Sequence, residues 1–330
     1  MSDNADVEAT PTPEAANPTT PTPPVVAGID GSPQALVAAD WAAAEAELRQ
    51  RPLRLVHAFE WPEFNVRLGP PPGAPAAAGF QNMAQAIVDE AEARVRAAHP
   101  NLTVTADCVA GFRRPVLVAA AREADLMVVG SRGLGTVGAL VIGSTTAELA
   151  ARAVCPVVIV PEKAPEPTAG DIVVGVDTSP QSRPALQFAL DEARRRGASV
   201  RVVYAWGGGR IPVLRSVRGR TEDHEPTQQD AERCLSEFLA QTPEDYSDVP
   251  VTSVVERGDP RRILVAQGGD ALLVAIGTRG RGSLRGLLLG SVSQSVIHHV
   301  RSPIAVVPSG TPQGEDSEGE GEDLEGDRPG

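Results

Sequence analysis

Six glycines in two groups are the residues of this chain best suited to chemistry. Gly130 and Gly133 are followed, after nine intervening residues, by Gly143-Ser144. Gly277 and Gly280 are followed at the same interval by Gly290-Ser291. Glycine lets backbone N–H groups approach a ligand and permits positive φ. Gly143-Ser144 and Gly290-Ser291 each open a helical pattern, and a helix N-terminus offers unpaired N–H groups and a positive dipole end to an anion. The hydroxyls of Ser144, Thr145 and Ser291 can donate to a phosphate oxygen, and Val292 holds the place of Thr145 in the second group. Arg132 and Arg279 lie within the two loops, where they could meet phosphate charge. The competing reading is structural: glycines that only turn the chain, and serines that only cap helices.

Repetition argues against that plain reading. Val26–Gln34 recurs as Val173–Gln181, and Cys155–Pro161 recurs as Ser302–Pro308, each in the same register as the glycine groups, 147 positions on. A single register held across four separated blocks marks a duplication. The halves run over 25–161 and 171–308. Between them, 162–170 is proline-rich without apolar periodicity and reads as a short stiff linker.

The elements that must position the glycines follow from the apolar pattern. Val25 to Ile29 is a short branched run, the mark of a buried strand. Ser32-Pro33 starts a helix to about Arg49, serine capping free N–H groups and proline fitting the first helical position. Strands are expected at Leu53–Phe59, Leu102–Val109, Leu126–Val129 and Val157–Val160. Helices are expected at about 81–98, at Pro115–Ala124 and at Thr145–Ala153. The second half repeats the order from Ile172 to Val307. Strands separated by helices imply crossovers and a parallel sheet, so the fold class is α/β: two tandem doubly wound domains, each with a five-stranded parallel sheet. Gly130 and Gly277 then sit at the carboxyl ends of strands, where such sheets bind ligands.

The doubled G-x2-G-x9-G-S pattern, with the Asp30 and Asp177 blocks before it, resembles the ATP-binding, tandem-domain type of the universal stress protein family. The resemblance covers both halves and leaves out only tails and linker. It implies an adenine nucleotide α-hydrolase-like fold and ATP, with Mg²⁺ in company, as ligand. It implies that Asp30 and Asp177, which end the first strands, contact the nucleoside; the plainer role is an acid at a helix N-terminus. Ala58 and Ala205, ending the second strands, fit as backbone contacts to adenine, with Val109 and Glu256, ending the third strands, as weaker candidates. Gly111 and Gly258 shape the adjoining turns. In the family the last strands pair subunits; here they can pair the two halves, and a homodimer of whole chains is a further expectation. The loops 61–79 and 207–226 diverge between halves and are the candidate lids.

Function stays open among three readings. The first is a nucleotide-dependent stress-response regulator acting on an unknown protein partner. The second is a slow ATP hydrolase or nucleotidyl-transfer enzyme, and the third an interaction module without nucleotide. Neither half repeats a catalytic base: His57 is matched by Tyr204, and the neighbours His298 and His299 point about 100° apart on a helix. Gly133-Leu-Gly-Thr-Val-Gly138 spells a dinucleotide fingerprint, but it follows the wrong strand and Arg285 breaks it in the second half. Net charge is −13, most of it in the tails 1–24 and 309–330, which are expected to be disordered. The body between them is nearly neutral, so nucleic acid is not an expected partner. No apolar run is long enough for a membrane span, and the N-terminus lacks a signal pattern, which points to the cytoplasm. Cys108, Cys155 and Cys234 show no metal or disulfide spacing.

Overall fold

The computed structural model describes residues 22–60, 78–131, 143–161, 170–207, 226–278, 280 and 289–309. The acidic tails beyond these bounds, most of the linker and most of the divergent loops after the second strands lie outside the described residues.

The first half runs β1 (Val25–Ile29), α1 (Pro33–Arg49), β2 (Leu53–Phe59), α2 (Ala78–Ala98), β3 (Val104–Ala110), α3 (Arg113–Ala121), β4 (Leu126–Gly130), α4 (Ser144–Arg152) and β5 (Val157–Val160). The second half repeats it as β6 (Ile172–Val176), α5 (Arg183–Arg196), β7 (Val200–Trp206), α6 (Gln228–Leu239), β8 (Val251–Arg257), α7 (Pro260–Gln267), β9 (Leu273–Gly277), α8 (Ser291–His299) and β10 (Ile304–Val307). The helix expected from Pro115 begins two residues earlier, at Arg113, because proline is tolerated within a first turn.

The sheet order is β3-β2-β1-β4-β5-β10-β9-β6-β7-β8. Every pairing within a half is parallel. The two five-stranded sheets are joined into one by an antiparallel seam in which Ile159 faces Ile304 and Val157 faces Val306. Val158 and Ala305, equivalent in the repeat, face each other at its centre. Because the seam is antiparallel, the carboxyl ends of the two sets of strands point to opposite edges of the sheet.

Residues 25–29, 126–130, 157–160 and 304–307 are buried throughout, as in a sheet covered on both faces. One face carries α1, α2, α5 and α6, and the other carries α3, α4, α7 and α8. Helix α1 meets the sheet through Ala35, Ala38, Ala39, Ala42, Ala43 and Ala46, side chains short enough to bring its axis close.

Where α1 passes α5, four charged side chains are buried together. Arg49 pairs with Glu45 at 2.5 Å and with Glu192, and Arg196 pairs with both carboxylates. The four obey the repeat register, as do the flanking rings: Phe188 lies 5.5 Å from Arg49 and Trp41 6.0 Å from Arg196. Burial acts against ionisation of Glu45, but Arg196 and Arg49 outweigh it and hold its carboxyl below the ordinary value. Burial and then the neighbouring Glu45 hold Glu192 above its ordinary value. Arg49 alone also reaches Asp125, at 2.7 Å; Leu272 holds the equivalent place in the second half.

The turn after the first strand of each half shows a paired exchange. Gly31 adopts φ +79°, and a Cβ there would lie 3.0 Å from Ile87. Its counterpart Thr178 holds φ +58°, and the counterpart of Ile87 is Cys234, whose sulfur lies 3.6 Å from the Thr178 hydroxyl. A smaller residue above thus makes room for a larger one below. The helix start differs too. Ser32 accepts from the Ala35 N–H, whereas the Ser179 hydroxyl donates to Asp177 at 2.5 Å. Without that cap, Pro180–Ser182 form a 3₁₀ turn and α5 begins only at Arg183.

Two stability tests follow. Arg49→Met strands buried carboxylates and should lower unfolding free energy by about 3–5 kcal/mol, read as a fall in the urea midpoint. Gly31→Thr should cost about 1–3 kcal/mol from backbone strain and the Ile87 clash, and adding Ile87→Cys should recover part of the loss in thermal melts. An undiminished loss in the double variant would separate the two positions.

Candidate functional site

In the first half, a cleft of about 530 Å³ opens at the carboxyl ends of β1 and β4. This is where the strand order reverses, with β2 on one side of β1 and β4 on the other. Its floor is Gly28, Ile29 and Val129. A Cβ on Gly28 would lie 3.2 Å from both Leu117 and Val129, so glycine here lets α3 settle against β1. Gly175 has the same role under Leu264 in the second half.

One wall is the start of α4. Gly143, Ser144, Thr145 and Thr146 all line the cleft, and no side chain caps this helix. Two hydrogen bonds fix its position. The Gly143 N–H donates to the Ser131 carbonyl at 3.2 Å, and the Thr146 hydroxyl donates to the Gly130 carbonyl at 3.1 Å. The same bonds recur in the second half, from Gly290 to Thr278 at 3.0 Å and from Ser293 to Gly277 at 2.8 Å. Thr146 and Ser293 therefore tie the loop to the strand end, and Ser144 and Ser291 remain solvent-exposed at the helix tip.

Asp30 borders the cleft below, with its carboxylate accepting from the Ser32 N–H at 3.0 Å. The far wall is Phe112, Arg113, Arg114, Pro115 and Leu117, with Glu60 beside them. Glu60 accepts from the Arg113 N–H at 3.3 Å, and its carboxylate lies 3.6 Å from the Arg113 side chain. Arg114 is paired with Glu148 of α4 at 3.1 Å, which links α3 to α4. His57 is buried, and its Nδ1 contacts the Ile29 carbonyl at 2.9 Å.

Of the residues singled out from sequence, Asp30, Ala58, Gly130, Gly143, Ser144 and Thr145 all line this one cleft. Val109 does not: it pairs with Ala58 across the sheet, and its side chain packs into the apolar layer instead. Arg132 and Gly133 lie outside the described residues, as does Arg279. In the second half, a Cβ on Gly280 would lie 2.9 Å from Asp177 Oδ2, so the loop glycine and the strand-end acid are in contact. Ala205 pairs with Glu256 on the edge strand, Glu256 exposed, and Val292 packs inward. Sequence reasoning missed Glu60, Phe112, Arg113 and Arg114. For Glu60 and Phe112 the one signal was a departure from the repeat: Gly207 and Asp259 stand in their places in the second half.

Cys108, Cys155 and Cys234 are free thiols, and burial pushes the Cys155 thiol up to about 11, which keeps it unreactive. Among the described residues no group of His, Cys, Asp or Glu is placed to hold a metal ion, and no helix is long and apolar enough to cross a membrane.

Comparison with known proteins agrees with this fold. A universal stress protein of Mycobacterium tuberculosis is 37% identical over 292 residues, 86% of this chain and 96% of its own. A universal stress protein structure from Archaeoglobus fulgidus superposes with a TM-score of 0.64 at 17% identity, covering 87% of this chain and 98% of that one. A universal stress protein in complex with cAMP matches a single half, at 32% identity and TM-score 0.33, covering 41% of this chain and 94% of its own. The pattern of the Universal stress protein family matches twice, over residues 22–161 and 169–308. This chain, which carries the family's domain twice, belongs to the universal stress protein family.

Proposed function

We propose that the chain is an ATP-binding regulator whose nucleotide state sets what its surface presents to a protein partner. One observation carries the reading: the uncapped start of α4 and Asp30 line the same cleft in the first half. A helix start suits phosphate, and a carboxylate suits a ribose hydroxyl, as acids do in dinucleotide folds. About 530 Å³ is within the range of small-ligand sites. The repeated loop bonds from Gly290 and Ser293 support a second site of the same kind.

A Mg²⁺ ion accompanying ATP would draw its ligands mainly from phosphate oxygens and water, as this hard, reluctantly dehydrated ion often does. Bound there, it would neutralise phosphate charge. This chain's own groups would orient the nucleotide: Ser144 and Thr145 at the phosphates, Asp30 at the sugar, and the Ala58 backbone beside the base. Association of two whole chains belongs to the same proposal and is read by sedimentation.

Ser144→Asp is the direct test. An acid at the first position of α4 favours the helix dipole, so melting temperature should hold or rise. The same charge should repel phosphate and weaken ATP binding at that half by at least about tenfold. Equilibrium dialysis should then find one ATP fewer per chain than in the parent. Unchanged stoichiometry would place the ligand elsewhere, and no ATP bound to the parent protein would remove the reading altogether.

A further inference from the structure

We infer that Phe112 is the stacking surface for the base of the nucleotide in the first-half cleft; this rests on the nucleotide reading above. Phe112 is the N-cap residue of α3, a position that favours Ser, Thr, Asp or Asn because a side-chain oxygen there satisfies a free N–H. Phenylalanine makes no such bond. It is also 72% exposed, yet it lines the cleft. A large aromatic group held in water at the one position that calls for an acceptor breaks two local preferences at once, and such breaks gather at functional sites.

The second half shows what the position looks like without that demand. Asp259 is the N-cap of α7, and its carboxylate accepts from the Arg261 N–H at 3.0 Å. The acid has changed places between the halves. Where the second half has Gly207, the first has Glu60, whose carboxylate takes the Arg113 N–H. Glu60 thus meets the need of the helix start from a neighbouring strand end and leaves position 112 for a ring.

The topology puts that ring at the correct end. Strand β4 leads into the phosphate wall, and β3, which leads to Phe112, lies on the other side of β1 with β2 between. A nucleotide with its phosphates at Ser144 and its sugar at Asp30 points its base toward β2 and the start of α3. Base–aromatic stacking does not depend on a hydrogen-bond pattern, so the ring would favour large flat bases over small ones.

The test uses the full chain carrying Ser291→Asp to silence the second half, with ATP and inorganic triphosphate as probes in equilibrium dialysis and melting temperature as a control. Phe112→Ala should weaken ATP binding about tenfold or more. It should leave triphosphate binding unchanged, and Phe112→Trp should retain ATP affinity. ATP affinity unaltered by Phe112→Ala would overturn the stacking role while leaving the nucleotide reading intact. Equal losses for ATP and triphosphate would show that Phe112 only supports the wall, which also overturns it. Failure of the Phe112 parent to bind either probe would overturn the stacking role, and failure of the unsubstituted chain to bind ATP would end both readings together.

Discussion

Two buried carboxylates and the two largely buried guanidiniums that meet them between α1 and α5 set the relation of everything else in this molecule. Removing ions from water is expensive, and attraction offsets the expense only when each charge meets partners at close range. Glu45, Arg49, Glu192 and Arg196 satisfy that condition in one arrangement, each acid facing both bases. Slippage of one helix along the other would leave a charge buried and unmatched. The cluster therefore specifies register more than it adds stability. It acts beside the seam, where hydrophobic Val and Ile pairs alone would tolerate small shifts. Once α1 and α5 are fixed, so are β1 and β6 beneath them, and with those the edges on which the two loops stand.

The same physical theme, an acid assigned to a particular N–H group, distinguishes the two ends of the sheet. Glu60 and Asp259 do similar work at the starts of α3 and α7 from different places in the chain. Asp30 and Asp177 both receive a serine N–H, but only Asp177 also receives the serine hydroxyl, and α5 starts later for it. The fold is thus nearly symmetric in its backbone while its polar contacts have drifted apart around both sites.

Much of this was legible in the sequence, for reasons that differ by region. The strands were legible because residues such as Val25–Ile29 and Leu126–Gly130 are apolar at every position, and only a doubly covered sheet asks for that. The start of α4 was legible because Gly143 and Ser144 stand directly before a helical pattern. The buried charges were not, since Glu45 and Arg49 four residues apart on a helix ordinarily read as a solvated pair. Only the close passage of a second, equivalent helix takes them out of water. Phe112 was hidden for a related reason: one aromatic residue between a strand and a helix says nothing until its neighbour Glu60 is seen doing the capping. Val109 was placed correctly on its strand, yet its side chain turned to the apolar layer, a choice that alternation along a strand makes at every step.

The fusion of the halves also changes what a single altered codon can do. In an assembly of two separate identical chains, any substitution appears in both copies, and a residue at the seam meets its own replacement across the two-fold axis. Here the seam joins Val158 to Ala305, two different residues at equivalent places. A covalent connection holds the pair together at any dilution, because the second association is intramolecular. Each half can therefore lose or acquire a contact without imposing it on the other. The Gly31–Ile87 pair and its counterpart Thr178–Cys234 record such one-sided change, in which inheritance is shared and specialisation is not.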